Sequence, residues 1–168
     1  FIDKLESFGV LAAAPSGMLI FTLTFLLFDK FLWNLPILYK WGIVKIPNLE
    51  GTWDTTITTA DSSSPAVSAR AIIHQTYSKM KIRIETEKSH SLSQMAILEM
   101  TDPTCFSLRY EYQAQYKRDE NANILRHYGV SCFSLRSNNH DFSSEQSATY
   151  YTEQGRDTHG EILIRKTP

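Results

Sequence analysis

The side chains that could carry chemistry in this chain are suited to binding rather than to catalysis. The five histidines, His74, His90, His127, His140 and His159, include no two at the close spacing of metal ligands on one strand or helix. There is no Gly-x-Ser-x-Gly elbow, no phosphate-binding glycine loop and no paired-carboxylate signature. The acidic residues scatter over turn-like segments, and neither an enzyme, a metal site nor a cofactor is expected. What stands out is aromatic and guanidinium chemistry. Tyr77, Tyr110, Tyr112, Tyr128, Tyr150 and Tyr151 offer flat faces for stacking, and Arg83, Arg109, Arg126 and Arg136 offer permanently charged forks for anions. Thr55, Thr56 and Thr58 could form a polar wall. A tyrosine in a strand also serves as packing, and an outward arginine as a solvated charge.

These residues sit in strand-like runs. The expected strands cover 52–59, 68–77, 79–87, 91–100, 104–116, 124–136, 145–152 and 160–166, separated by segments rich in Asp, Asn, Gly, Ser and Pro. Alternation is clear in 79–87, where Met80, Ile82 and Ile84 oppose Lys79, Lys81, Arg83 and Glu85. In 104–112, Phe106, Leu108, Tyr110 and Tyr112 oppose Ser107, Arg109 and Glu111. One apolar and one wet face point to an antiparallel sheet curled around a core. Eight strands with short connections predict an all-β fold, an eight-stranded up-and-down barrel, because closure removes unpaired edges; a two-sheet sandwich is the alternative. Gly51-x-Trp53 resembles the opening of a lipocalin, whose Trp plugs one end of the barrel.

Residues 8–28 carry no charge, a run of 21 positions against the roughly 20 needed to span a bilayer. Pro15 and Gly17 interrupt the run. The expectation is a transmembrane segment over 1–34, an interfacial linker over 35–50 and a ligand-sensing barrel over 51–168. Trp33, Tyr39 and Trp41 read as interfacial anchors, and Lys30, Lys40 and Lys45 place the barrel on the cytoplasmic side. The chain begins with Phe, and a preceding piece that could hold a first span is expected. With 17 basic and 18 acidic residues the net charge is −1, and no basic stripe favours duplex nucleic acid. Cys105 and Cys132 are expected as two buried thiols.

The order of these segments carries a resemblance. "APSGMLIFTLTFLLFDKFLWNLPIL", "GIVKIPNLEGTWDTTI", "IIHQTYSKMKIRIETEKSHSLSQMA", "RYEYQ", "HYGVSCFSL" and a closing "HGEILIRK" are similar to the two-transmembrane, β-strand-rich effectors of CBASS anti-phage operons, of the Cap15 type. The resemblance implies a barrel that binds a cyclic dinucleotide made after phage infection. It further implies ligand-driven homo-oligomerisation among the lipids of the bacterial inner membrane, membrane disruption and abortive infection. Such a ligand presents two bases and two phosphates, so the receptor needs stacking faces and cationic or hydrogen-bonding groups. On that basis Arg109 and Arg126 are the expected phosphate contacts, Tyr77, Tyr110 and Tyr128 the stacking residues, and Thr55 part of the polar wall. A membrane-anchored, lipocalin-like carrier of an apolar ligand fits the strands equally well, and a filled barrel without ligand is a third possibility. The pocket lining separates them: aromatics with Arg for a nucleotide, aliphatics for a lipid.

Overall fold

A computed structural model describes residues 17–61, 64–116, 126–137, 142, 144–153 and 158–167. Eight strands run antiparallel in sequence order: β1 (Gly51–Thr59), β2 (Val67–Gln75), β3 (Met80–Thr86), β4 (Ser89–Asp102), β5 (Cys105–Tyr116), β6 (Arg126–Arg136), β7 (Gln146–Thr152) and β8 (His159–Lys166). Each pairs with its neighbours, and β8 pairs back onto β1 from Trp53↔Lys166 to Thr59↔Gly160. The sheet is therefore a closed barrel rather than a sandwich. Closure leaves no open edge and sends alternate side chains inward.

The inward phase builds the core. Trp53, Ala71, Ile73, Ile82, Ile84, Phe106, Leu108, Phe133, Leu135, Ala148, Ile162 and Ile164 are buried together. Trp53 is 0% exposed and closes one end of the barrel, with Leu49 and Phe142 in the same cluster. Its indole N–H donates to the Leu49 carbonyl at 3.0 Å, satisfying the one polar atom of the plug. Gly51 has φ 128°, a conformation that a Cβ strongly disfavours, which explains the glycine two residues before the Trp.

The barrel departs from simple alternation in β4. Its pairing with β5 shifts between Ser93 and Met95, and again between Met100 and Asp102. The extra residue changes the phase: Ser93 is buried, and the next inward side chains are those of Ala96 and Leu98. The Ser93 hydroxyl accepts the Ile82 N–H at 2.9 Å, replacing a ladder bond that β3 and β4 do not make there. Cys105 and Cys132 are free but only half-buried, correcting the expectation of buried thiols. Both take outward positions, because Phe106, Ser131 and Phe133 hold the inward phase.

The chain divides into two compact units. One comprises Phe1–Val44 with Thr76–Ser78, the other Lys45–Gln75 with Lys79–Pro168. In the first, helix α1 covers 17–30 and is followed by a 3-10 turn, Leu32–Asn34, and a short helix α2, Pro36–Lys40. Met18, Leu19, Ile20, Phe21, Leu23, Phe25, Leu26 and Leu27 of α1 are all exposed. Among the described residues no helix is long and apolar enough to cross a membrane. Positions 8–16 of the expected span lie outside the described residues. The Asp29 carboxylate accepts the Ser78 N–H at 2.7 Å and the Thr76 hydroxyl at 3.2 Å. Trp33 is buried, with its ring centroid 6.5 Å from that of Tyr77.

Candidate functional site

The two ends of the barrel differ. At the end opposite Trp53, the strands lead into a cavity of about 540 Å³, within the usual range for a small-molecule site. One side of its lining is aromatic: Tyr110, Tyr112 and Tyr116 from β5, His127 from β6 and Tyr150 from β7. These rings stay close to one another. The Tyr110 and Tyr112 centroids are 5.9 Å apart, and His127 lies 6.4 Å from Tyr112 and 6.2 Å from Tyr116. The other side is aliphatic and hydroxylic, with Ile57, Ile84, Ser68, Ser89 and Ser91.

Hydroxyl pairs organise the rim. Across the β3–β4 turn, the Ser89 N–H donates to Thr86 Oγ1 at 2.9 Å, and the two side-chain hydroxyls are 2.9 Å apart. Across β7–β8, the Thr158 N–H donates to Thr152 Oγ1 at 2.9 Å, and those hydroxyls are 3.0 Å apart. Lys88 and Glu87 stand between Thr86 and Ser89 and also line the cavity. The Tyr150 and Thr59 hydroxyls are 3.2 Å apart.

Two hydroxyls are left over. Tyr110 and Ser131 are paired in register across β5 and β6, and both line the cavity. Tyr110 is 3% exposed and Ser131 0%, yet neither hydroxyl closes a hydrogen bond of good geometry. Burial pushes the Tyr110 phenol well above its ordinary value; the nearby Ser131 hydroxyl pulls it partly back, and the Tyr112 phenol adds to the rise. The phenol is thus a neutral donor at any physiological pH. A buried donor without a partner is costly in a folded protein. A ligand with acceptor oxygens would satisfy it.

Of the six residues expected to contact the ligand, Tyr110 lines the cavity, as do Tyr112 and Tyr150 from the wider set of stacking candidates. Arg109 and Arg126 are exposed on the outer face, one residue out of phase with the inward side chains. Tyr128 is also exposed, and its hydroxyl accepts the Gln113 amide at 3.1 Å. Thr55 is buried near the closed end, where its hydroxyl donates to the Trp53 carbonyl at 3.2 Å. Tyr77 falls outside the strand expected to hold it. β2 ends at Gln75, whose side-chain amide donates to the Pro47 carbonyl and accepts the Leu49 N–H, and the Tyr77 ring packs 5.1 Å from Phe28. The structure therefore does not bring the six together. Among the described residues the lining contains no Arg. Ser131, Ser91, Lys88 and His127 carried no signal of their own. Ser131 becomes readable only once the β5–β6 register sets it opposite Tyr110.

This barrel, closed at one end and open over aromatic and hydroxyl groups, has a match among known families. A family model described as "Cap15, cyclic dinucleotide receptor domain" matches residues 44–166. The chain belongs to the Cap15 family. The stretch matched includes all eight strands, so the barrel is the family's cyclic dinucleotide receptor domain. A curated relative, CD-NTase-associated protein 15 of Yersinia aleksiciae, is 31% identical over 139 residues, which are 83% of this chain and 64% of the relative. The chain thus spans less than two thirds of that relative's length.

Proposed function

We propose that this chain is a membrane-anchored CBASS effector whose barrel takes a cyclic dinucleotide into the cavity opposite Trp53. The observation that carries the reading is the pair of buried hydroxyls, Tyr110 and Ser131, which lie near each other across β5 and β6 but close no hydrogen bond of good geometry, inside an aromatic-lined cavity of a Cap15 receptor domain. The bases stack against the arc of Tyr110, Tyr112, Tyr116 and Tyr150. The phosphate oxygens accept from the hydroxyls, with Lys88 at the rim supplying positive charge. The chain acts as a receptor and not as an enzyme.

On this reading the apolar run over 8–28 anchors the protein in the bacterial inner membrane, with the barrel on the cytoplasmic side. The uncovered apolar side chains of α1 support a lipid-facing role for that segment. Ligand binding drives homo-oligomerisation, and the gathered membrane segments disrupt the bilayer and abort the infection. Linkage requires the ligand to bind the assembled form more tightly than the free one. Detergent-solubilised protein titrated with cyclic dinucleotides, with particle mass followed, tests this. Growth of the particle is expected. An unchanged mass with every cyclic dinucleotide removes the effector mechanism, and binding of fatty acids in their place favours the apolar carrier.

A further inference from the structure

The outside of the barrel is divided into two unlike walls. Among the described strand residues, every exposed large hydrophobic side chain except Val67 at the mouth belongs to β4, β6 or β7. Met95 and Ile97 are 56% and 54% exposed. The opposite wall is charged. In register across β8, β1, β2 and β3, Arg165, Asp54, Arg70 and Glu85 alternate in sign, as suits a solvated sheet. A small barrel with one apolar outer wall is prepared for contact on that wall.

The centre of the apolar wall carries two charges. Arg109 and Glu111 lie two residues apart on β5, both exposed and on the same face, and neither belongs to an ion pair among the described residues. Ile97 and Cys132 flank Arg109 in register; Met95 and Val130 flank Glu111. This arrangement is self-complementary. Consider a second copy facing the first, related by a two-fold axis that lies in the contact plane and crosses the strands at the level of position 110. Arg109 then meets Glu111 of the second copy, Met95 meets Ile97, and Val130 meets Cys132, each contact occurring twice. An axis along the strands would instead set Arg109 on Arg109 and Glu111 on Glu111, which like-charge repulsion disfavours.

We propose that the outer wall of β4–β7 is the surface through which two copies of this chain meet, with Arg109 and Glu111 fixing the register of the contact. The inference rests on the reading that ligand binding drives self-association, and it assigns that association a surface. The apolar side chains supply the dry centre and the charge pair supplies orientation.

The test is charge reversal with rescue. Full-length protein in detergent is followed for particle mass with a cyclic dinucleotide present, and for ligand binding by calorimetry. Arg109→Glu and Glu111→Arg are each expected to keep the ligand-bound protein at its unassembled mass, and the double reversal R109E/E111R to restore growth. In a Cys105→Ser background, maleimide labelling of Cys132 is expected to slow severalfold on ligand addition, and not to slow in either single reversal. If the wild type binds ligand without growing, the self-association reading fails and this assignment with it. If the wild type grows and both single reversals grow equally, or the folded double reversal does not, the wall is not the contact and only this inference is overturned. Single reversals that assemble normally but lose binding to anionic vesicles would make the wall lipid-facing, which also overturns it.

Discussion

The Tyr112 phenol lies directly over Gly129, its register partner across β5 and β6. A Cβ at Gly129 would overlap the Tyr112 hydroxyl and stand 2.6 Å from the Tyr151 carbonyl oxygen. Both contacts are too short to keep, so the Tyr112 ring and the β7 backbone at Tyr151 must each give way. Gly129→Ala is therefore expected to push Tyr112 out of the aromatic side of the cavity. The cost is about 1–3 kcal/mol of stability, typical of overpacking, together with a clear loss of cyclic dinucleotide affinity. Denaturant unfolding and calorimetry on the same variant measure both. Unchanged affinity would place the ligand away from Tyr112.

Tyr110→Phe and Ser131→Ala separate stability from binding. Each removes a buried hydroxyl that closes no hydrogen bond of good geometry within the protein, so stability should stay within about 1 kcal/mol of the wild type or rise. Affinity should drop about ten- to a hundredfold where the hydroxyl serves a ligand phosphate. Equal affinities in variant and wild type would show that these hydroxyls face no ligand.

Ser93→Ala tests the bulge. With the hydroxyl gone, the Ile82 N–H loses its acceptor, and the barrel should lose about 1–3 kcal/mol. Amide exchange at Ile82 should accelerate while that of the β1–β8 seam stays slow. A silent variant would mean that β3 and β4 close their ladder without the side chain.

Eight strands were legible in the sequence because a period of two and turn-forming residues mark them independently. The expected runs at 104–116 and 145–152 reappear nearly unchanged as β5 and β7. The bulge in β4 was not legible: one extra residue reverses the phase after Ser93, and nothing in "SLSQMAILEM" marks where. The site followed the same division. Tyr110 could be placed because Phe106 and Leu108 share its phase, and that same alternation sends Arg109 outward. Tyr77 followed a strand pattern that stops at Gln75, because the Gln75 side chain is held by Pro47 and Leu49, far away in sequence. Ser131, Ser91 and Lys88 depend on register and turn geometry, since serine occupies either face of a strand without hydrophobic cost.

Alkaline pH should weaken the fold. Burial raises the Tyr39 phenol from 10.0 to about 12 and holds the Tyr110 phenol well above its ordinary value. A phenol that keeps its proton longer when folded contributes stability fully present below the unfolded value. That contribution is lost as pH rises through the folded one. Denaturant midpoints should hold steady up to about pH 10 and fall between about pH 10 and about pH 12, less steeply in Tyr110→Phe. A midpoint that rises over that interval would contradict the burial of these phenols.

Calorimetric titration of the purified full-length protein with cyclic dinucleotides bears most directly on the cavity. Saturable binding of one ligand per barrel is expected for at least one base combination, abolished when Tyr110 and Tyr112 are both replaced by Ala in a variant that keeps its β-sheet spectrum. No heat with any cyclic dinucleotide, or binding that survives the loss of both rings, would contradict the account.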